Sequence, residues 1–315
     1  MELAVVIPVY NEAQAICKNF AVIYDTFLQD DISCQYIIVD DGSSDTSWLE
    51  ISKLQKEYSN VSAIRFARNF GKEMAICAGL DNIDAERYLI MDSDLQHPPK
   101  CVKDMLLLMD RSQVNIVDGV KQQRGKENFL YRFFAKGFYK ILRKTTGLDL
   151  NNSSDFKLID RSVVDTIRQF RESNLFFRGL IDWVGFERTN YFFTVEERVE
   201  GESSFSLFRL MKLAFNAILS HTSKPLYLTF FGGAIFLLFA VILGIQTLVN
   251  YFSGNAVSGF STVILLILFT GSVIMLSLGM IGVYISRIYD EVKGRPRYIV
   301  SQNLSRGIKK DRKII

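Results

Sequence analysis

The sequence predicts an α/β protein with a mostly parallel sheet, followed by an apolar C-terminal part that crosses a membrane. Short β-branched runs alternate with segments of helical spacing, and polar clusters stand where the strands would end. Residues 225–286 contain no Asp, Glu, Lys or Arg. The 315 residues, 49% hydrophobic and 23% charged, exclude a disordered chain.

The N-terminal elements follow one another in regular alternation. Leu3–Val9 is a β-branched run that ends in Pro8-Val9-Tyr10-Asn11, which predicts a strand and then a loop. Ala13–Leu28 has helical spacing. Further strands are predicted at Tyr36–Val39, Val61–Phe66, Arg87–Met91 and Val114–Val120, and further helices at Ser47–Tyr58 and Gly71–Leu80.

Three polar clusters, Asn11-Glu12, Asp40-Asp41 and Asp92-Ser93-Asp94, follow predicted strands. Ligands of such sheets bind beyond the carboxyl ends of the strands, so the clusters should meet in one crevice. The sequence has no GxGxxG and no Gly-rich phosphate loop with Lys-Ser/Thr, which leaves a dinucleotide oxidoreductase or a P-loop NTPase unsupported. Asp92 and Asp94 suit Mg²⁺ or Mn²⁺ completed by substrate phosphates; an ordinary acidic loop is the alternative.

Charge is distributed unevenly along the chain. Residues 1–224 hold 28 basic and 31 acidic residues, which argues against a nucleic-acid partner. Arg287–Ile315 holds nine basic and three acidic residues. The four cysteines form no CxxC pair, which favours isolated thiols in a reducing cytosol over disulfides or zinc.

Two uncharged runs, about 226–251 and 260–286, are each long enough to span a bilayer, although a buried hairpin in a soluble protein is the alternative. Basic residues flank their outer ends, and the link at 252–259 has no Lys or Arg. The positive-inside rule then places both ends in the cytoplasm. The N-terminus lacks the basic region of a secretory signal peptide.

Five motifs stand in a characteristic order: VVIPVYNE (Val5–Glu12), VDDGSSD (Val39–Asp45), ARNFGKE (Ala67–Glu73), MDSDLQHPP (Met91–Pro99) and SDFKLIDR (Ser154–Arg161). In this combination the chain resembles the family 2 glycosyltransferases, which have a Rossmann-like GT-A fold. More narrowly, it is similar to the polyprenyl-phosphate glycosyltransferases, which include dolichol-phosphate mannose synthase and bacterial undecaprenyl-phosphate (bactoprenol) glucosyl- and N-acetylglucosaminyltransferases. The resemblance runs from about residue 3 to 290.

The resemblance implies roles for individual residues. The nucleotide sugar would be bound by Pro8, Tyr10, Glu12, Asp40, Asp41, Asp92 and Gln96. Mg²⁺ or Mn²⁺ would be held by Asp92, Asp94 and Gln96, and the catalytic residues would be Asp94 and Asp155. Relatives cast the residue at Asp155 as the acceptor-side base. The acceptor, a phosphate monoester, has its second pKa near 6 and is largely deprotonated at cytosolic pH. Asp155 could therefore equally align the acceptor instead of removing a proton from it.

Residues 128–147 combine a basic ridge with an aromatic face at helical spacing. Such a helix suits the membrane interface, although an ordinary amphipathic helix against a core is the alternative. Arg132, Lys136 and the preceding Lys121 are the candidates for binding the lipid phosphate. A second amphipathic segment is predicted at 201–224.

Several positions depart from the family pattern, among them Leu175, which stands where an Arg is common. Ser154 replaces a Gly, which would restrict the backbone there, and Ser204 stands where many relatives carry Lys. His97 replaces an Asp, and we expect it to be a solvated loop residue.

The resemblance thus implies an inverting enzyme that moves one sugar, from UDP-glucose or UDP-N-acetylglucosamine, to undecaprenyl phosphate for cell-envelope glycan modification. Its expected parts are a cytoplasmic GT-A domain (1–200), the segment 201–224, a two-helix transmembrane hairpin (225–287) and a basic cytoplasmic tail (288–315). It would be a multi-pass inner-membrane protein and, by resemblance, a homotetramer. The alternatives are a GDP-mannose-dependent mannose synthase and a non-catalytic membrane scaffold.

Overall fold

The computed structural model describes residues 3–122, 154–170, 172, 177–194 and 259–304, with short pieces between 235 and 253. The chain divides into two compact units. The first unit consists of Met1–Leu210 together with Pro296–Ile315, and it contains the sheet. The second unit is Met211–Arg295, so the chain enters it from the first unit and afterwards returns there.

In its described residues, the first unit contains eight strands and six helices. The strands are β1 (Leu3–Val9), β2 (Cys34–Asp40), β3 (Val61–Phe66), β4 (Arg87–Ile90), β5 (Ile116–Lys121), β6 (Lys157–Asp160), β7 (Arg188–Phe193) and β8 (Val300–Leu304). The helices are α1 (Ile16–Gln29), α2 (Ser47–Glu57), α3 (Lys72–Asp81), α4 (Cys101–Ser112), α5 (Arg161–Ile167) and α6 (Phe177–Trp183). The five strands predicted from the sequence are all present, and α1 begins later than predicted because residues 13–15 form a turn.

The strands form one sheet in the order β7-β5-β6-β4-β1-β2-β3-β8. The pairs β1–β2, β2–β3, β1–β4 and β5–β7 are parallel. Two antiparallel strands complete it, because β6 lies between β4 and β5 and β8 pairs with β3 at the edge. The sheet is therefore mixed and mostly parallel, which confirms the predicted α/β class.

Helices cover both faces of the sheet, which explains why the central strands are continuous apolar runs. The helices α1, α2 and α4 pack on one face, against alternate residues such as Val5 and Ile7. The helices α3, α5 and α6 pack on the other face, against Ala4 and Val6. These two buried layers hold the strand ends in fixed positions.

The order of the strands creates a crevice at their carboxyl ends. From β1 the chain moves to β2 and β3 on one side, then crosses through α3 to β4 on the other side of β1. Ligands bind at this kind of reversal in an open α/β sheet. Because β6 is antiparallel to β4, with Lys157 opposite Ile90, the residues just before β6 lie at the same edge.

The C-terminal segment that starts at Pro296 belongs to the first unit. Tyr298 is buried, stacks on Phe66 with 5.0 Å between the ring centroids, and donates its hydroxyl to Asp81 at 3.2 Å. The Ala67 N–H donates to the Ile299 carbonyl at 2.9 Å, just before β8 begins. The sequence had assigned this segment to a basic tail, and its packing could not be read from composition.

The second unit contains α7 (Phe260–Val292), a helix of 33 residues. It covers the second predicted apolar run and continues beyond Ser286 through Arg287 and Asp290. Within the described residues, Phe269–Val292 is the one stretch both long and apolar enough to cross a membrane. The predicted two-helix hairpin is therefore not shown, and its first helix, about 226–251, lies mostly outside the described residues.

Tyr298→Ala should destabilise the first unit, because it removes a buried aromatic ring from the contact with Phe66. A loss of about 3 kcal/mol should lower the apparent Tm by about 6–12 °C. Tyr298→Phe, which loses only the hydroxyl, should cost about 1 kcal/mol. Thermal unfolding of the purified protein measures both, with the exposed Ile299→Ala as control. Equal Tm values for Tyr298→Ala and the control would contradict the packing role.

Candidate active site

The loops after β1 and β2 are held together by hydrogen bonds. The Asn11 N–H donates to Ser43 Oγ at 2.9 Å, and the Ser44 N–H donates to Asn11 Oδ1 at 2.9 Å. The Glu12 N–H donates to Ser47 Oγ at 2.8 Å. Asn11 takes a left-handed backbone conformation with φ 55°, which Asn tolerates better than most residues. The two loops therefore form one rigid wall of the crevice.

Of the residues predicted in the loop after β1, Pro8 is buried in the strand and Tyr10 is exposed. Glu12 is half-buried at the turn that precedes α1. Tyr10 and Glu12 are thus placed where a bound molecule could reach them.

Asp40 and Asp41 are both buried, and burial raises the pKa of each carboxyl group. Asp40 Oδ1 accepts from the Ser43 N–H at 3.1 Å. Its Oδ2 lies 3.3 Å from Arg65 Nε but accepts no hydrogen bond from the described residues. Direct contact with a nucleotide would require these side chains to become exposed, so their assignment to the donor stays a prediction.

Asp41 holds the loop that precedes α3. Its carboxylate accepts the N–H of Phe70 at 2.7 Å and that of Gly71 at 2.9 Å. The adjacent Gly42 has φ 66°, and a Cβ there would lie 2.4 Å from the carbonyl carbon of Arg68. Only glycine allows this close approach, which places the loop against the end of β2.

The loop after β4 carries Asp92, Asp94 and Gln96, all half-buried. Lys72 Nζ lies 2.7 Å from Asp92 Oδ1. Asp94 Oδ1 accepts the N–H of Gln96 at 3.0 Å, in a turn where Leu95 has φ 60°. From α1, Asn19 Nδ2 donates to the Ser93 carbonyl at 2.8 Å. The three predicted metal ligands thus share one short, anchored loop.

His97 is buried, so the expectation that it is a solvated loop residue is wrong. Its Nδ1 accepts the N–H of Asp92 at 2.9 Å, and its ring stacks on Phe156 at 4.9 Å. Burial lowers the pKa of the imidazole below its ordinary value. A neutral His97 thus accepts a hydrogen bond from the Asp92 backbone. Its position depends on stacking against Phe156, which is far away in the sequence.

Asp155 is nearly buried between two cations. Arg178 donates to both of its oxygens, from Nε at 2.6 Å and from the guanidinium end at 2.9 Å, and Lys72 Nζ donates at 2.7 Å. Burial alone would raise the pKa of Asp155, but the Arg178 guanidinium and the Lys72 ammonium hold it well below its ordinary range. In this arrangement Asp155 is an ionised carboxylate and a poor proton acceptor at neutral pH.

Ser154, which replaces the family's glycine, is accommodated without backbone strain, because it is not among the residues with positive φ. Its hydroxyl donates to the Gly119 carbonyl, and it accepts the N–H of Phe156 at 3.1 Å. The side chain therefore helps to join β5 to β6 beside Asp155.

Glu73 lies beside this cluster. Its carboxylate accepts the N–H of Phe177, the first residue of α6. Burial raises the pKa of Glu73 to about 7, and the nearby Asp155 raises it too, although the Phe177 N–H, Arg178 and Lys72 oppose the shift. Glu73 thus links α3 to the helix that carries Arg178.

The remaining predicted residues fall into two groups. Lys121 is exposed at the carboxyl end of β5, at the same edge as the crevice. Arg132 and Lys136 lie outside the described residues, as do the rest of 128–147 and Ser204.

Sequence reasoning gave no role to Lys72, Glu73 or Arg178. The first two stand in the motif ARNFGKE and the third precedes Gly179, so the motifs contained the signal. The acidic residues stand directly at predicted strand ends, which is a local signal. Which cations would face them depends on packing between distant segments.

Within the parts of the chain that the structure describes, no group of three or more His, Cys, Asp or Glu residues is placed to hold a metal ion by itself. The oxygen donors of Asp92, Asp94 and Gln96 nevertheless fit Mg²⁺ or Mn²⁺. Such ions commonly use one or two carboxylates and take their other ligands from water and substrate phosphates.

Comparison with known proteins gives the class. The sequence pattern of glycosyl transferase family 2 matches residues 4–168, and the chain belongs to this family of enzymes. A mannosyltransferase from Pyrobaculum calidifontis, solved with GDP-Man and Mn²⁺, shares the GT-A fold with a TM-score of 0.51 at 17% identity. That match covers 71% of this chain and 64% of the other.

Closer relatives match almost the whole chain. A bactoprenol glucosyl transferase of Shigella phage SfII is 33% identical over 308 residues, covering 96% of this chain and 98% of that protein. An uncharacterized glycosyltransferase of Synechocystis sp. is 34% identical over 303 residues, covering 96% and 95%.

Glu73→Gln should stabilise the protein increasingly as the pH rises. The folded pKa of about 7 exceeds the ordinary 4.5, so the stability linked to the protonated carboxyl is complete below about pH 4.5 and is lost as the pH rises through 7. Gln can still accept the Phe177 N–H but does not ionise. A difference of about 2.5 pKa units corresponds to about 3 kcal/mol, so its Tm advantage should grow between about pH 5 and 7.5 to roughly 6–12 °C and then level off.

Thermal unfolding across this pH range measures the effect. Glu50, which pairs with Lys53 at the surface, provides a control, because the hydrogen bond from Lys53 lowers the pKa of its carboxyl group instead of raising it. A Tm difference for Glu73→Gln that does not change with pH would contradict the assignment.

Proposed function

We propose that this protein transfers a single sugar from a nucleotide-diphosphate sugar to undecaprenyl phosphate at the cytoplasmic face of a membrane. The observation that carries the proposal is the nearly full-length similarity to a bactoprenol glucosyl transferase, which extends through the apolar C-terminal region. UDP-glucose is the favoured donor, followed by UDP-N-acetylglucosamine. The product would serve as a lipid-linked sugar donor for cell-envelope glycan modification.

The donor side of the proposed site lies where the carboxyl ends of β1, β2 and β4 meet. Tyr10 and Glu12 are accessible beside the rigid loops after β1 and β2, while Asp40 and Asp41 build those loops from within. Asp92, Asp94 and Gln96 would bind the divalent ion together with the donor diphosphate. When bound, Mg²⁺ or Mn²⁺ offsets the negative charge that develops on the leaving nucleotide.

On the acceptor side, the lipid phosphate needs orientation more than proton removal. Its second pKa lies near 6, so at cytosolic pH its attacking oxygen is already largely deprotonated. The low pKa of Asp155 supports the role of a positioning residue over that of a general base. Through its carboxylate, Asp155 fixes Arg178 and Lys72, two cations that face the crevice and can orient phosphate groups.

The membrane part of the proposal has two spanning helices, at about 226–251 and 260–286, with both ends in the cytoplasm. The helix α7 supports the second span, and the basic residues at the outer ends support the orientation. The basic segment 128–147, with Arg132 and Lys136, would lie at the membrane interface. A homotetramer remains a proposal that rests on resemblance.

The function can be tested with membranes that contain the protein and undecaprenyl phosphate, supplied in turn with labelled UDP-glucose, UDP-N-acetylglucosamine and GDP-mannose. Label from a UDP-sugar should enter the lipid extract. EDTA should abolish the transfer, and Mn²⁺ or Mg²⁺ should restore it. Asp94→Asn keeps an acceptor for the Gln96 N–H but loses the charge, and should reduce transfer about a hundredfold or more.

Asp25→Ala, an exposed acidic residue on α1, serves as the control and should leave transfer unchanged. Label from GDP-mannose alone would identify a mannose synthase instead. Absence of lipid product from every donor would favour the non-catalytic scaffold, and full turnover in EDTA would exclude the metal.

Arg132→Ala should raise the apparent KM for undecaprenyl phosphate by about tenfold to a hundredfold, because a charge-assisted contact contributes about 1.5–3 kcal/mol. The KM for the nucleotide sugar should change little. Arg132→Lys should recover part of the loss, since Lys keeps the charge without the two-pronged geometry. Lys121→Ala should act in the same direction, and the exposed Lys53→Ala is the control. An effect confined to the KM of the nucleotide sugar would place these cations on the donor side.

A further inference from the structure

Lys72 is the first residue of α3, and its ammonium joins two carboxylates of the site. Lys72 Nζ lies 2.7 Å from Asp92 Oδ1 and 2.7 Å from Asp155 Oδ2. Asp92 follows β4 and Asp155 precedes β6, which are neighbouring antiparallel strands. The ammonium therefore bridges the donor and acceptor sides of the crevice.

The position of Lys72 is fixed by its backbone. The preceding residue, Gly71, donates its N–H to the buried carboxylate of Asp41 and takes φ 100°. The following residue, Glu73, accepts the N–H of Phe177. Both neighbours are thus anchored, and only the long side chain of Lys72 remains to rotate.

The two carboxylates differ in how strongly they depend on Lys72. Asp155 also receives two hydrogen bonds from Arg178, so it stays neutralised if Lys72 leaves. Asp92 has its short ion pair with Lys72 at 2.7 Å, and His97 Nε2 is farther away at 3.9 Å. A cation that replaced Lys72 at Asp92 would leave the Asp155–Arg178 pair intact.

We propose that Lys72 is a substitute cation, which occupies Asp92 while no divalent ion is bound and competes with that ion for the same carboxylate. The inference rests on the proposed function, because it takes Asp92 as a metal ligand. A divalent ion at Asp92 would repel an ammonium held 2.7 Å from the same carboxylate. Lys72 then swings away from Asp92 while its backbone and Asp155 keep it in the crevice, where it can meet a phosphate group.

Competition has a measurable consequence for metal affinity. An internal cation that must be displaced reduces the apparent affinity by the fraction of molecules in which Asp92 is free. Removing the ammonium should therefore strengthen metal binding in the absence of any nucleotide. A residue that only helped to bind the donor diphosphate would have no such effect.

Titration of the purified full chain with Mn²⁺, followed by the electron paramagnetic resonance signal of the free ion, tests this without a catalytic assay. Lys72→Met should bind Mn²⁺ about tenfold more tightly than the wild type, as expected for loss of one charge-assisted contact. Lys72→Arg keeps a cation and should stay close to the wild type. Lys53→Met, which breaks the exposed ion pair with Glu50, should leave the affinity unchanged.

A second measurement uses the wild type and does not depend on whether a variant folds. Labelling with an amine-reactive reagent, read by mass spectrometry, should increase at Lys72 relative to Lys53 when Mn²⁺ is added. Unchanged or weaker Mn²⁺ binding by a folded Lys72→Met, or labelling that Mn²⁺ does not alter, would overturn the proposal. If these tests failed while the wild type still made the lipid-linked sugar with Mn²⁺, the proposed function would stand and only the role of Lys72 would be overturned.

Discussion

The nearly buried carboxylate of Asp155 has to be neutralised where it stands, and the rest of the site is arranged around that requirement. A charge withdrawn from water is costly unless it is paired and hydrogen-bonded. Arg178 supplies two hydrogen bonds, and Lys72 supplies one that it shares with Asp92. This chain of charges connects the start of α3, the end of β4, the start of β6 and the start of α6. Loss of Asp155 would leave Arg178 without this carboxylate, and loss of Lys72 would take from Asp92 its short ion pair.

The buried carboxylates of this site fix loops, whereas the half-buried ones remain accessible to a ligand. Asp40 and Asp41 are withdrawn from solvent and fix loops, through the N–H groups of Ser43, Phe70 and Gly71. Asp92 and Asp94 remain half-buried on an anchored loop, with oxygens that a ligand can reach. Residue type alone does not separate these roles, because both pairs follow strand ends. The roles differ because packing in the folded chain buries Asp40 and Asp41 but leaves Asp92 and Asp94 partly exposed.

In the sequence, the second unit is inserted between the two segments that form the first unit. After α7 ends, five residues, 293–297, lead to Tyr298, which packs on Phe66, and β8 then pairs with β3. The C-terminal segment thus contributes both a buried side chain and an edge strand to the first unit. By pairing with β3, the strand β8 covers the backbone groups of β3 and becomes the edge strand of the sheet itself.

The sequence by itself determined the α/β class, the five strands from β1 to β5, the acidic strand ends and the family, because apolar runs and short motifs are local signals. It did not determine β6 or β8, since a strand of four or five residues is recognised by the partner it pairs with. Only the tertiary structure decided that His97 is buried under Asp92, that Arg178 and Lys72 clamp Asp155, and that Asp41 serves a loop. Each of these contacts joins residues 5 to 83 positions apart, and their electrostatics depend on burial that no local pattern specifies.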